Sequence, residues 1–95
     1  MIKTFADKDT ERVFGRRVLR RWSLQVQRTA RRKLVQLDAS ERLDDLRIPP
    51  GNRLEKLRGD RAGEYSIRIN DQWRICFRWR KGDAYDVEIT DYHRG

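Results

Sequence analysis

The sequence predicts an α+β fold in which N-terminal helices cover one face of a small antiparallel β-sheet. Apolar residues recur at helical spacing as far as Leu46 and, after Gly51, at every second position; such a change of period marks a passage from helices to strands. The later segments also alternate so that one face collects most of the large apolar side chains, as a sheet covered on one side requires. The 95 residues contain no internal repeat, low-complexity tract or Ser/Gly-rich linker, so one domain over residues 1–95 is expected.

In chain order, Ile2 to Phe5 reads as a short first strand. Asp9 or Thr10 is placed to cap a short helix through about Phe14, and Gly15 weakens its continuation. The Arg-rich stretch Arg16 to Trp22 reads as an irregular connection. Ser23 then caps a longer helix to about Asp38, on which Val26, Ala30, Leu34 and Leu37 form one stripe and Arg28, Arg31 and Arg32 lie opposite. Ser40 is expected to cap a further turn through Leu43 and Leu46, ended by Pro49, Pro50 and Gly51.

The strands follow. Arg53 to Leu57 is expected to be one, with a loop over Arg58, Gly59, Asp60, Arg61, Ala62 and Gly63. Tyr65 to Ile69, Trp73 to Arg80 and Ala84 to Tyr92 complete an antiparallel meander, turning at Asn70–Gln72 and Lys81–Asp83. Parity puts Trp73, Ile75, Phe77 and Trp79 on the covered face with Tyr65, Ile67, Ile69, Tyr85, Val87 and Ile89. The other face carries Arg68, Arg74, Cys76, Arg78, Asp86, Glu88, Thr90 and Tyr92. It reads either as a cradle for nucleic acid or as cross-strand ion pairs, with Asp86 and Glu88 neutralising the arginines.

Charge bounds the function. There are 23 Lys plus Arg against 15 Asp plus Glu, for a net charge of +8. Most of the cations are Arg, whose planar fork matches phosphate oxygens and stacks on bases. Between Arg12 and Leu37 every charged residue is basic, and such a block attracts polyanions, whether RNA, DNA or an acidic protein. No apolar run is long enough for a membrane span or a secretory signal, which makes the cytoplasm the expected compartment. One Cys and one His cannot build a disulfide or a structural zinc site, and no metal or cofactor is expected.

The segments Leu54-Glu-Lys-Leu-Arg-Gly-Asp-Arg, Tyr65-Ser-Ile-Arg-Ile-Asn-Asp-Gln-Trp-Arg-Ile-Cys-Phe-Arg-Trp, Gly82-Asp-Ala-Tyr and Asp91-Tyr-His occur in an order and spacing that resembles the HigB toxins of the RelE/ParE superfamily. A looser likeness covers Ile2-Lys-Thr-Phe and Leu43-Asp-Asp-Leu-Arg-Ile-Pro-Pro-Gly-Asn, whereas Gly15 to Leu24 looks particular to this chain. The resemblance implies a RelE-like fold, with helices on one face of a twisted antiparallel sheet. It also implies a toxin of a type II toxin-antitoxin system that cleaves mRNA in the ribosomal decoding site. The implied restraint is a HigA-type helix-turn-helix antitoxin, through which alone operator DNA is contacted, and the toxin itself is expected to be monomeric outside that complex. Two other readings stay open. One is a non-enzymatic inhibitor in the manner of the ParE branch, acting on a target such as DNA gyrase. The other is a catalytically degenerate homologue that only binds its antitoxin or nucleic acid.

Cleavage by a 2′-hydroxyl needs a proton acceptor, positive charge on the pentacovalent phosphate and a proton donor for the leaving 5′ oxygen. Arg74, in the family's Trp-Arg position, is the expected phosphate clamp. Arg58 stands where related toxins carry a Lys; it keeps the charge but cannot exchange a proton at ordinary pH. Glu55 stands where some relatives have His. His93 is the one side chain whose ordinary pKa suits proton transfer near neutrality, and Tyr92 is placed to stack on a base or orient the attacking hydroxyl. Arg28, Arg31, Arg32, Lys33, Arg68 and Arg78 are the expected contacts to RNA or the ribosome. Gly59 and Gly63 are assigned to backbone geometry and Cys76 to packing.

Overall fold

The computed structural model describes residues 1–91. Helix α1 (Lys8–Phe14) begins at Asp7, whose carboxylate accepts from Thr10 N at 3.1 Å. Neither expected cap is used, because the helix starts earlier and turns Thr10 inward. There its fully buried hydroxyl accepts from Ile89 N at 3.0 Å. Asp9 instead pairs with Arg12 and Arg21 at 3.0 and 3.2 Å.

Helix α2 (Leu24–Ala39) has the expected Ser23 cap and buries Ala30, Leu34 and Leu37. Ser40 does not cap the next turn. Its hydroxyl donates to Gln36 O at 2.8 Å and closes α2, while the 3₁₀ turn Leu43–Arg47 is capped by Asp45. The Asp45 carboxylate accepts from the backbone N–H groups of Arg42 and Glu41, each at 3.0 Å, and these bonds hold its pKa below the ordinary value.

The sheet runs β1 (Glu55–Lys56), β2 (Tyr65–Arg68), β3 (Trp73–Arg80) and β4 (Asp83–Asp91), all neighbours antiparallel in that order. The expected strand Arg53 to Leu57 shrinks to two residues because Arg53 is left-handed, with φ 46°, and turns the chain before β1. Ile2 to Phe5 does not form a strand of its own. It lies against β4 through two isolated parallel bridges, Ile2 to Ala84 and Phe5 to Val87. Between β3 and β4 the chain turns in two residues, Lys81 and Gly82, both with positive φ (51° and 83°), the geometry that matches the natural strand twist.

The parity expectation fails at one place. Cys76 lies opposite Glu88 but Arg78 lies opposite Tyr85, so β4 carries one more residue than β3 across this step. Asp86, at φ 52°, marks the bulge. An extra residue inverts the faces beyond it. Tyr85 therefore moves to the polar side, under the Arg80 guanidinium at 4.6 Å, and Ala84 takes the buried place opposite Trp79. The rest of the covered face holds as expected: Ile67, Ile75, Phe77 and Val87 are fully buried against α2 and its neighbours, each such side chain contributing about 1.5–3 kcal/mol.

The Arg-rich connection between the helices is irregular, yet one side chain fixes it. Gln27, buried on α2, accepts from Leu19 N at 2.9 Å and donates to Leu19 O and Trp22 O at 2.7 Å each. Trp22 then packs edge-on against Trp73 with ring centroids 6.0 Å apart. Gln27→Ala is expected to lower the unfolding free energy by about 2–3 kcal/mol, since it strands buried backbone groups, whereas Ser23→Ala costs about 1 kcal/mol. Urea denaturation measures both; equal losses would show that Gln27 does not pin the connection.

Candidate active site

The uncovered face of the sheet carries a cleft of about 610 Å³. Its floor is Ser66 of β2, Arg74 and Cys76 of β3, and Thr90 and Asp91 of β4; its wall is Glu55, Leu57 and the loop from Arg58 to Arg61. Arg74 is the central feature. It pairs across the strands with Arg68 and Thr90, and so projects to the uncovered side. Although a cation, it is only 5% exposed. Its Nε donates to Ser66 Oγ at 2.7 Å, and its Nη2 donates to Arg53 O at 2.7 Å and Ser66 O at 3.4 Å. The left-handed turn at Arg53 that cuts β1 short is also what brings this carbonyl to the guanidinium.

The carboxylates that the sequence offered to Arg74 bond elsewhere. Asp86 lies 3.6 Å from Arg78 Nε, and Glu88 accepts from Arg61 Nη2 at 3.1 Å. Arg61 also donates to Glu64 at 3.0 Å. Burial opposes the Arg61 charge, but the Glu88 hydrogen bond and the two carboxylates raise its pKa further. Arg61 thereby ties the loop to β4, and Arg58, which opens the 3₁₀ turn Gly59–Arg61, is held on the wall of the cleft. Gly59 and Gly63 have the backbone role expected of them, with φ of 65° and 92°; a Cβ on Gly63 would also meet Arg78 Nη1 at 3.0 Å.

Among the expected site residues, Arg58 and Arg74 therefore line one cleft, with Glu55 beside them. Tyr92 and His93 lie outside the described residues; Asp91, which precedes them, lines the cleft and accepts from Gln72 Nε2 at 3.2 Å. The cations named for RNA contact are not one surface. Arg28, Arg31 and Arg32 lie in a groove on the helical side, and Arg78 lies with Trp79 and Tyr85 at the bulged end of the sheet. Lys33 donates to Asn52 Oδ1, and Arg68 pairs with Asp71. Partial burial, then the charges of Arg32 and Arg68, push the Lys33 pKa down.

Sequence reading missed Ser66, the Arg53 carbonyl and the linking role of Arg61. The spacing of Arg61 and Glu64 carried a signal for the last; nothing in the residue types announces a backbone acceptor. Cys76 lines the floor, but burial pushes its thiol pKa up, which suppresses the reactive thiolate. Alkylation of Cys76 in the native protein at neutral pH is expected to be at least about tenfold slower than in urea. Equal rates would show the thiol to be accessible and ionisable.

The arrangement is a cationic cleft on an antiparallel sheet backed by helices, and a solved structure shares that fold. The YoeB-YefM complex from Staphylococcus aureus matches with a TM-score of 0.56 over 93% of this chain and 95% of that chain, at 13% identity. The class this defines is an α+β fold of helices packed on a four-stranded antiparallel sheet. The family is narrower: the model for the RelE-like toxin of type II toxin-antitoxin system HigB matches residues 3–93, and the chain belongs to this HigB-like toxin family. Toxin HigB-1 of Vibrio cholerae is 48% identical over 61 residues, covering 64% of this chain and 64% of that protein. Endoribonuclease HigB of Proteus vulgaris is 32% identical over 93 residues, 98% of this chain and 100% of that one.

Proposed function

We propose that this toxin is a ribosome-dependent endoribonuclease that cuts mRNA in the decoding site and is restrained by a HigA-type helix-turn-helix antitoxin. The observation that carries the reading is Arg74, a guanidinium buried at the floor of an open cleft whose wall presents a second arginine, Arg58. The full-length relative from Proteus vulgaris, named an endoribonuclease, supports it.

In this reading the scissile phosphate lies over Arg74 and beside Arg58. Attack by the neighbouring 2′-hydroxyl places an extra negative charge on the phosphate, and two fixed guanidinium groups stabilise that charge more than the ground state. Arg74 serves best as the clamp because its position is set by Ser66 and Arg53 before RNA arrives. Arg58 contributes charge but no proton. Proton transfer falls to His93, with Tyr92 orienting the hydroxyl or stacking on a base. Lys33 and Arg68 serve as outlying phosphate contacts. The groove cations Arg28, Arg31 and Arg32 are separate from this surface.

The test is to map mRNA 5′ ends after brief induction and to assay purified protein on message with and without ribosomes. Wild type is expected to cut only with ribosomes, Arg74→Ala to lose at least about 100-fold in rate, and Arg74→Lys to lose much of it, because the charge remains but the fork is gone. Urea unfolding separates lost chemistry from lost fold, given the hydrogen bonds that Arg74 makes. Growth arrest with intact mRNA, or undiminished cutting by a folded Arg74→Ala, would overturn the reading.

A further inference from the structure

Asn52 ends the 3₁₀ turn Pro50–Asn52 ahead of β1, and its side chain is fully buried. A primary amide taken out of water costs free energy unless its donors and its acceptor are met, and here two elements of the helical layer meet them. Asn52 Nδ2 donates to Leu46 O of the 3₁₀ turn Leu43–Arg47 at 3.1 Å and to Gln36 Oε1 of α2 at 3.0 Å. Its Oδ1 accepts from Lys33 Nζ, about one turn before Gln36 on the same helix. These partners fix the orientation of the amide, because an ammonium only donates and a main-chain carbonyl only accepts. Gln36 also donates from Nε2 to Ile48 O at 2.6 Å, so α2 holds the chain on both sides of Pro49 and Pro50.

The next residue is Arg53, left-handed at φ 46° and ψ 56°, whose carbonyl accepts from Arg74 Nη2 at 2.7 Å. That conformation is unfavourable for a residue with a side chain, and the glycine that would adopt it freely, Gly51, stands two positions earlier. Such a turn persists where its surroundings over-determine it. Arg53 N donates to Pro50 O at 3.0 Å, the side chain before it is tied to α2, and its carbonyl is held by the guanidinium. We propose that Asn52 is a positioning residue for the cleavage step: anchored to α2 and Leu46, it sets the Arg53 carbonyl that fixes the Arg74 guanidinium against the scissile phosphate. The inference rests on the nuclease reading for its chemistry, and on geometry alone for the path from Asn52 to Arg74.

Packing alone does not account for this residue. An apolar side chain of similar volume would fill the same space and need no partners. A buried amide with its partners met instead specifies one placement of the backbone that carries it. The clamp needs that placement, since a shift of about 1 Å at a reacting group costs up to about 100-fold in rate. Asn52 is itself buried and lines no part of the cleft. Its effect passes through Arg53, and so falls on the chemical step and not on binding of RNA or ribosome.

Two variants test it: Asn52→Ala, and the milder Gln36→Met, which keeps helix propensity while removing one Asn52 bond. Gln36→Met carries the test where Asn52→Ala does not fold. The first readout is independent of cleavage: exchange of the Arg74 Nε–H with solvent, followed by NMR on the full chain and taken relative to the Ile75 amide. This ratio is expected to rise about tenfold in Asn52→Ala and about threefold in Gln36→Met, whereas a general loss of stability moves both groups together. The second is single-turnover cleavage on programmed ribosomes, under conditions where urea unfolding shows each variant folded. The rate at saturation is expected to fall by about the same factors, with the half-saturating ribosome concentration unchanged. In an Arg74→Ala background the same changes are expected to alter the rate less than about twofold. If the exchange ratio stays at its wild-type value, or the variants slow the Arg74→Ala protein as much as the wild type, Asn52 acts on stability alone and the proposal fails. A wild type that cuts no RNA overturns the nuclease reading, and the cleavage role of Asn52 with it, whatever the exchange ratio shows.

Discussion

Burying the Arg74 charge is the constraint from which the arrangement of the uncovered face follows. An ionised group taken out of water costs several kcal/mol unless hydrogen bonds replace its hydration. Ser66 and Arg53 supply such bonds through a hydroxyl and carbonyl oxygens. The β2 residue two positions before Arg68, the cross-strand neighbour of the clamp, is here Ser66 and must then be small and polar, and the chain ahead of β1 must turn left-handed to present its carbonyl. A two-residue β1 is the consequence. The loop that follows is in turn secured by Arg61 between Glu64 and Glu88, so these ion pairs build the wall of the cleft.

The two faces of the sheet thus divide the work of the molecule. The covered face buries Ile67, Ile75, Phe77 and Val87 and provides the rigidity that a preorganised site needs. The bulge at Asp86 permits both faces to run the length of β4. It keeps Val87 and Ile89 inward while sending Tyr85 outward, with Ala84 fitting beneath the N-terminal segment. The helical layer adds a second cationic surface on the far side, built on an apolar floor where the cleft is built on a polar one.

Much of this was legible because period and charge are local properties. The helices, the meander, the inward residues of β3 and the polar placement of Arg74 all follow from spacing alone. The Trp-Arg motif singled out the residue that the structure buries at the cleft floor. What was not legible depends on geometry between distant parts of the chain. Asp7 caps α1 because the N-terminal segment bridges to β4; Tyr85 leaves the core because one extra residue enters β4. The fixing of Arg74 by the Arg53 carbonyl is equally silent in residue types, since every residue has a carbonyl and only the turn selects this one. Charge composition also merged separate surfaces into one. Arg28, Arg31 and Arg32 were grouped with Arg68 and Arg78 by sign, and folding places them apart.

The most direct measurement of the central claim is chemical rescue of Arg74→Ala in single-turnover cleavage on programmed ribosomes. If the Arg74 guanidinium itself stabilises the phosphate, methylguanidinium entering the vacated site restores cleavage in a saturable manner and leaves the wild-type rate unchanged. A folded Arg74→Ala protein that binds the ribosome yet shows no rescue, or cleaves at the wild-type rate without it, would contradict the account.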